Sequence, residues 1–394
     1  MTPPVDTLPN MTVHRYTALE FFAGIGLARM GLEDAGVKVV WANDIGPDKK
    51  AMYEGHFGAD EDGHTFHLGD LGEVHSDQMP ATADIAWASS PCTDLSLAGD
   101  RAGLSGKHSG AFWEFTRVLD EYGAEKRPRV AVLENVVGLA TSHGGEDLAT
   151  AIGEFNRLGY STDVLMIDAR RFLPQSRPRL FIVGAQTPPM RQQQQSELRP
   201  DSLMHMFGND ALRMHRAVLP PPPAPVTRGL GMYVQRIADD DERWWDEART
   251  TAFLDSLSPK QADRVNKLRR AKRSSYRTAY RRTRNGVAVW EVRADDVSGC
   301  LRTARGGSSK QAVVKLGGGA TKVRWMTPLE YARLMGAGLY DLTGTRINQA
   351  LFGFGDAVAV PVVSWLTKNY LVPLLDGSLD EAASTVLDED VLHG

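Results

Sequence analysis

The chain has 394 residues, 42% of them hydrophobic, 24% charged and 8% aromatic, a profile that excludes collagenous, disordered and coiled-coil classes. At about 100–200 residues per domain the length predicts two domains with ample material for a large core. The net charge of −4 gives no whole-molecule sign of nucleic acid, and two cysteines, Cys92 and Cys300, exclude a disulfide scaffold and a four-cysteine zinc site; no metal is expected.

The first ten residues carry Pro and Asp where a secretory signal has a basic stretch and an apolar core, and no apolar run reads as long enough to span a bilayer. A cytoplasmic protein is expected. From residue 17 to 184, strand-like apolar runs alternate with amphipathic stretches. Strands are expected at 17–22, 37–42, 84–89, 130–133, 162–167 and 180–183. Helices are expected from the glycine-bearing turn to about residue 35, and at 47–57, 111–122 and 146–158. This alternation predicts an α/β fold built on a doubly wound, mostly parallel sheet. Composition then shifts. A Gln run at 192–195 and a Pro run at 220–223 read as linker or surface loop. Residues 260–284 hold eleven basic side chains, among them Arg269, Arg270, Arg273, Arg277, Arg281 and Arg282, against the single acid Asp263, with Tyr276 and Tyr280 interleaved. Pairing within the segment cannot neutralise it, so phosphate contact is favoured over a solvated face. A helix at 328–334 and an apolar stretch at 358–366 read as packed core again.

Candidate chemistry sits at strand ends. Phe22-Ala-Gly24-Ile-Gly26 lies where the first strand becomes a helix; its glycines permit close backbone approach, although a plain tight turn explains them equally well. Asp44 ends the second strand, where an acid can accept from ribose hydroxyls, and Asp70 in Gly69-Asp70-Leu71 can accept from an adenine amino group. Together they suggest an adenosine-bearing ligand without a pyrophosphate. Cys92 follows Pro91 at the carboxyl end of a central strand, which favours a nucleophile over a buried small residue. Glu134 directly follows a buried strand, where a charge is costly unless paired or used. Arg177 and Arg179, alternate residues of an extended segment, can project side by side toward a phosphate, carbonyl or carboxylate. Cys300 reads as an ordinary buried cysteine.

In this order the motifs resemble those of the DNA cytosine-5 methyltransferases. Phe22, Gly24 and Gly26 are similar to that family's S-adenosyl-L-methionine turn, Asn43-Asp44 and Asp70-Leu71 to its ribose and adenine acids, and Pro91-Cys92 to its nucleophile motif. Glu134-Asn135-Val136 resembles the ENV motif and Gln175-Ser-Arg177-Pro-Arg179 the QxRxR motif. The segment from Arg324 to Leu334 resembles RxLTPRExARLQ, and Gly355-Asp356-Ala357-Val358 with Pro361 the GNAVxxP motif. Thr93, Leu27, Ile45 and Asp356 depart from the usual Gln, Gly, aromatic and Asn.

The resemblance implies a Rossmann-like methyltransferase sheet with a second, smaller target-recognition domain. It divides the chain into a catalytic domain at 12–185, a target-recognition domain at 186–298, returning motifs at 299–376 and a tail at 377–394. It implies S-adenosyl-L-methionine as cofactor, held by Phe22, Gly24, Gly26, Asp44, Ile45, Asp70, Leu71, Pro91, Asp356 and Val358. The Cys92 thiolate would add to C6 of a flipped cytosine while Glu134 protonates N3. Arg179 would meet the base O2, and Arg177 would support the site and the DNA backbone. Double-stranded DNA is the implied partner of a monomer, in a restriction-modification or phage-defence setting with a cognate restriction or defence protein. The alternatives are a tRNA cytosine-5 methyltransferase and a catalytically silent DNA-binding regulator.

Overall fold

In the computed structural model, which describes residues 14–59, 63–91, 110–284, 286–303 and 310–381, the main sheet is buried on both faces and its strands alternate accordingly. Ala18, Val37, Val39, Ile85, Trp87, Val130 and Val132 point into one core; Leu19, Phe21, Trp41, Ala86, Ala88, Ala131 and Leu133 point into the other. A strand with both faces covered must be apolar at every step, which is why these segments read as continuous hydrophobic runs.

Seven strands form this sheet: β1 (Tyr16–Phe21), β2 (Val37–Asp44), β3 (Thr65–Leu68), β4 (Ile85–Ser89), β5 (Val130–Val136), β6 (Ser161–Asp168) and β7 (Pro178–Ala185). Their order is β3-β2-β1-β4-β5-β7-β6, parallel except for β7, which runs against both neighbours. The first core is covered by α1 (Leu27–Asp34) and by residues of α2 (Pro47–Phe57) and the C-terminal helices; the second by α3 (Gly110–Glu121) and, after the short α4 (Gly123–Lys126), by α5 (Glu146–Arg157). The doubly wound α/β expectation holds, with β3 as a strand the sequence reading lacked.

A second sheet is antiparallel: β8 (Ser275–Arg284), β9 (Val287–Val292), β10 (Ala312–Gly317) and β11 (Ala320–Trp325), in the order β11-β10-β8-β9. After α6 (Asp201–Phe207) on the main domain, α7 (Glu247–Asp255), α8 (Pro259–Arg269) and their connection pack on this sheet through Phe253, Val265 and Leu257 respectively. Trp245, Phe253, Trp290 and Trp325 form its aromatic centre, with ring centroids 5.3 to 6.0 Å apart.

The structure draws the division between the parts differently from residues 186 and 298. Residues 198 and 213–215 bond to β6. Thr162 N donates to Arg213 O, His215 N to Thr162 O and Met166 N to Leu198 O, and Leu198, Ala217, Leu219, Leu230 and Val234 belong to the main core. The Gln and Pro runs are irregular, as expected, but the Gln run is fastened: Arg216 N donates to Gln192 Oε1 at 2.6 Å. At the other boundary, β10 and β11 complete the small sheet from beyond residue 298, because β10 pairs with β8 and β11 with β10.

The chain then returns to the main core through α9 (Pro328–Leu334), α10 (Ile347–Asp356) and α11 (Val360–Leu366), and ends its described part with α12 (Val372–Asp376) and α13 (Ser378–Glu381). The helical stretch Ile347–Asp376 is long and apolar enough by composition to cross a membrane, which the sequence reading missed by taking only 358–366 as the apolar run. In the fold, 72% of its apolar window is buried.

Candidate active site

Because β1, β2, β4 and β5 are parallel, their carboxyl ends share one edge of the sheet; β7, running the other way, begins at that edge. Arg179 stands opposite Val136 in the β5–β7 register. Glu134 lies two residues back on the same face, and its Oε1 is 2.9 Å from Arg179 Nε. On the other side of β5, Ser89 pairs with Glu134, and Pro91 is the last described residue of that strand end. Cys92, the expected nucleophile, lies outside the described residues.

The two arginines expected to act together have different surroundings. Arg177 is only 2% exposed. Its Nη1 donates to Leu301 O at 2.7 Å, and its Nη2 to Gly355 O at 3.2 Å and to Ala357 O. Burial pulls its guanidinium below its usual value, the Arg179 charge adding to the effect. Such a side chain does not reach a DNA backbone; that part of the sequence reading is corrected, since Arg177 is spent on binding two returning segments to the sheet. Gln175 does the same, donating to Leu334 O at 2.6 Å and accepting from Leu301 N at 3.1 Å. Arg179 alone of the motif faces Glu134.

Cys300 is not an ordinary buried cysteine either. It is partly exposed, 3.2 Å from Arg177 Nη1 and 4.0 Å from Arg179 Nη2. The Arg324–Glu330 segment, by contrast, is structural: a fully buried ion pair with Nη1 to Oε2 at 2.8 Å, and a capping box in which Thr327 Oγ1 accepts from Glu330 N and Thr327 N donates to Glu330 Oε2.

Along the same edge lie the residues expected to hold a cofactor. Phe22, Gly24 and Gly26 all take positive φ, at 56°, 58° and 80°. A Cβ on Gly26 would meet the Phe57 ring at 2.4 Å, whereas one on Gly24 would meet nothing within 4 Å. Gly26 therefore serves the packing of α2, and Gly24 leaves open space above the turn. Asp44 ties this turn to the next: Gly24 N donates to its Oδ2 at 2.9 Å and Gly46 N to its Oδ1 at 2.8 Å. Lys49 Nζ sits 3.6 Å from Asp44 and 3.5 Å from Asp356, so it joins two candidate residues more than 300 positions apart in sequence. Nothing in the sequence singled out Lys49, beyond its place in the first turn of a helix, where a cation is disfavoured without an acidic partner. Asp70 is exposed and accepts from Gly72 N at 3.0 Å. Ile45 (66% exposed) and Leu68 (43%) offer apolar surface at the adjacent ends of β2 and β3. Leu71 and Val358 are buried in the two cores of the main domain.

The basic segment is a helix and a strand, not one face. Arg270 and Arg273 lie in the turn between α8 and β8, and Arg281 on β8; all three are exposed and have no ion pair among the described residues. The β10–β11 turn clamps that basic turn: Gly318 N donates to Ala271 O and Gly319 N to Arg269 O. Gly317, at φ 144°, comes so close that a Cβ would meet Arg273 O at 2.7 Å. Arg269 is partly buried and Arg282 pairs with Glu291 at 3.1 Å. Arg277 is half-buried, with Nη1 donating to Tyr276 O at 2.7 Å and burial lowering its guanidinium pKa.

The sequence profile of the C-5 cytosine-specific DNA methylases matches residues 16–371. The chain belongs to that family. Among curated members it is 32% identical over 171 residues to the type II methyltransferase M.BsuFI of Bacillus subtilis, 31% over 184 to M1.ScrFI of Lactococcus lactis subsp. cremoris, and 31% over 170 to M.HaeII of Haemophilus aegyptius. The matched stretches cover 43%, 46% and 43% of this chain and span 39%, 44% and 50% of those relatives. The fold is shared more widely. The crystal structure of the S. pombe Dnmt2 methyltransferase superposes with a TM-score of 0.58 at 17% identity, covering 91% of this chain and 99% of that one. The Entamoeba histolytica methyltransferase EhMeth superposes with 0.61 at 12% identity, covering 92% and 98%.

Proposed function

We propose that this family member transfers a methyl group from S-adenosyl-L-methionine to C5 of a cytosine flipped out of double-stranded DNA. The observation that carries the reading is the Glu134–Arg179 pair, held at 2.9 Å beside the end of β4, whose Ser89 pairs with Glu134 two residues before Pro91. C5 of cytosine is a poor nucleophile. Addition of the Cys92 sulfur to C6, with a proton delivered to N3 by Glu134, turns the ring into an enamine that is nucleophilic at C5. Arg179, bound to Glu134 through Nε, orients that carboxyl and offers its remaining N–H groups to the base O2. A base removes the C5 proton, and the sulfur leaves C6.

The donor set fits the methyl donor. Asp44 retains lone pairs for ribose hydroxyls, Asp70 can accept from an amino group, Ile45 and Leu68 can cover a ring face, and Gly24 leaves open space at the turn. When bound there, S-adenosyl-L-methionine supplies the methyl group as an electrophile. Extruding a base costs a few kcal/mol, which contacts to phosphates offset. The exposed Arg270, Arg273 and Arg281, which have no ion pair among the described residues, support that role. We extend the type II naming of the curated relatives to a restriction-modification or phage-defence role, with the enzyme acting as a cytoplasmic monomer beside a cognate nuclease.

Incubation with isotopically labelled S-adenosyl-L-methionine and either duplex DNA or tRNA tests the reading. Label in DNA at C5 of cytosine, lost in Cys92→Ser, is expected. Label in tRNA alone would replace the substrate, and label in neither would favour a silent DNA-binding regulator.

A further inference from the structure

Among the described residues, the Arg177 and Arg179 guanidiniums outnumber the Glu134 carboxylate in the buried corner beside β7. Glu134 pairs with Arg179. Among the described residues, Arg177, almost fully buried, meets the carbonyls of Leu301, Gly355 and Ala357 and the sulfur of Cys300, and its Nε has no acceptor. A guanidinium taken out of water needs a counter-charge as well as dipoles. Among the described residues, Cys300 is the only group in hydrogen-bond contact with Arg177 that can become an anion.

The sulfur is held there by backbone. Ser176 N donates to Ser298 O at 2.9 Å and Ser298 N to Pro174 O at 2.7 Å, while Gln175 takes Leu301 N. These bonds fix the 298–301 segment against the start of β7, with Sγ at 3.2 Å from one arginine and 4.0 Å from the other. We propose that Cys300 is a positioning residue for methyl transfer: its sulfur is the counter-anion of the Arg177–Arg179 pair, and it holds Arg179 in the orientation in which Nε meets Glu134. Its role is electrostatic. The thiol gives its proton to solvent, and no bond to carbon forms.

Among the described residues, the charged groups facing the sulfur are Arg177 and Arg179 from β7 and its approach, Glu134 behind Arg179 on β5, and Arg302 from its own segment. Burial pushes the thiol up, but the three arginines outweigh burial and bring it below its usual value. The arginines thus favour the thiolate over the thiol. The kinetic consequence rests on the proposed methyltransferase reaction; the charge itself does not.

The test uses the full chain and its variants Cys300→Ser, Cys300→Ala and Cys300→Asp. First, the rate of iodoacetamide alkylation is followed against pH by mass spectrometry on the peptide carrying residue 300, separate from the Cys92 peptide. In parallel, the thiolate ultraviolet absorbance of wild type is compared with that of Cys300→Ser, which reads a shielded thiol too. A thiolate that persists below neutral pH is expected; titration in the ordinary thiol range, near about 8.5, overturns the proposal whatever the activity. Second, Cys300→Ser and Cys300→Ala are expected to lower kcat by about 100-fold with KM for the methyl donor little changed, as a misoriented catalytic group does. Cys300→Asp, which restores an anion, is expected to recover most of the rate. Serine equal to wild type, or aspartate no better than serine, overturns the positioning role. If wild type transfers no methyl group, the proposed function fails and the titration alone decides the counter-anion.

Discussion

Replacing Glu20 by Gln is expected to change the pH dependence of stability in a direction fixed by the burial of one carboxyl group. Glu20 lies on β1, 1% exposed, beneath the Gly24–Gly26 turn. Its Oε1 accepts from Arg29 N at 3.1 Å, its Oε2 accepts from Tyr53 Oη at 3.3 Å, and Tyr53 Oη lies 3.1 Å from His64 Nε2. Burial pushes its pKa from 4.5 up to about 8, the Arg29 hydrogen bond and charge only partly opposing it. Between those two values the folded protein holds a proton that the unfolded chain releases, so a rise in pH favours unfolding. The contribution is fully present below about 4.5 and lost as pH rises through about 8. At about 1.4 kcal/mol per pKa step, the span of about 3.5 steps sets a ceiling of about 5 kcal/mol. Glutamine keeps an acceptor for Arg29 N and has no proton to lose. Wild type and Glu20→Gln should therefore match in stability near pH 5, and the variant should gain by several kcal/mol near pH 9. Urea unfolding midpoints at intervals across that range measure the difference. The comparison with the variant cancels other titrations, including that of His215, whose pKa burial lowers to about 4 and which acts in the opposite sense. Midpoint curves that run parallel from pH 5 to 9 would falsify the assignment of a buried, protonated Glu20.

Three further outcomes are expected. Asp163 is fully buried, 2.8 Å from Arg199 Nε and 3.1 Å from Tyr370 Oη; Asp163→Asn should cost about 3–5 kcal/mol by stranding the Arg199 charge, and a smaller loss on denaturant titration would mean that Arg199 finds water. Replacing Arg270, Arg273 and Arg281 together with Ala should weaken duplex binding and reduce the slope of log affinity against log salt by up to about 3; an unchanged slope would place DNA on another face. Ile45→Trp should tighten binding of the methyl donor by about 2- to 10-fold through stacking, measured by calorimetry, and an unaltered or weaker affinity would remove Ile45 from the adenine end of the site.

What the sequence disclosed about the fold follows from burial. A strand covered on both faces, such as β4 with Ile85, Ala86, Trp87 and Ala88 all fully buried, is apolar throughout and bounded by polar turns, so it is visible without tertiary information. The strands of the small sheet carry no such signal. β8 reads Ser-Tyr-Arg-Thr-Ala-Tyr-Arg-Arg-Thr-Arg, and from Ser275 to Thr283 only Thr278 and Ala279 are fully buried; the rest of the strand is set by its partners β9 and β10. Its basic side chains looked like one run because charge is counted along the chain, whereas the fold places part of that run on α8, part in a turn and part on β8. β10 and β11 were assigned elsewhere for a related reason. Pairing across more than thirty residues leaves no local trace.

The site was legible to the extent that its chemistry is written in consecutive residues. Glu134 and Arg179 could be matched because β5 and β7 each present their functional residue at a strand end, and antiparallel register brings those ends together. The extended spacing that suggested a joint role for Arg177 and Arg179 is real, since both approach the same sulfur, but it does not say which of the two faces a substrate. That is decided by residues 298–303 and 355–357, whose carbonyls take the Nη groups of Arg177 and bury it. Cys300 and Lys49 went unread by the same logic. Each gains its significance from opposite charges delivered by distant segments, Arg177 and Arg179 for the thiol, Asp44 and Asp356 for the ammonium. A charge near neutralising partners is a property of the folded arrangement, so the sequence supplies the candidate atoms and the return of the C-terminal segments to the sheet edge determines which of them interact.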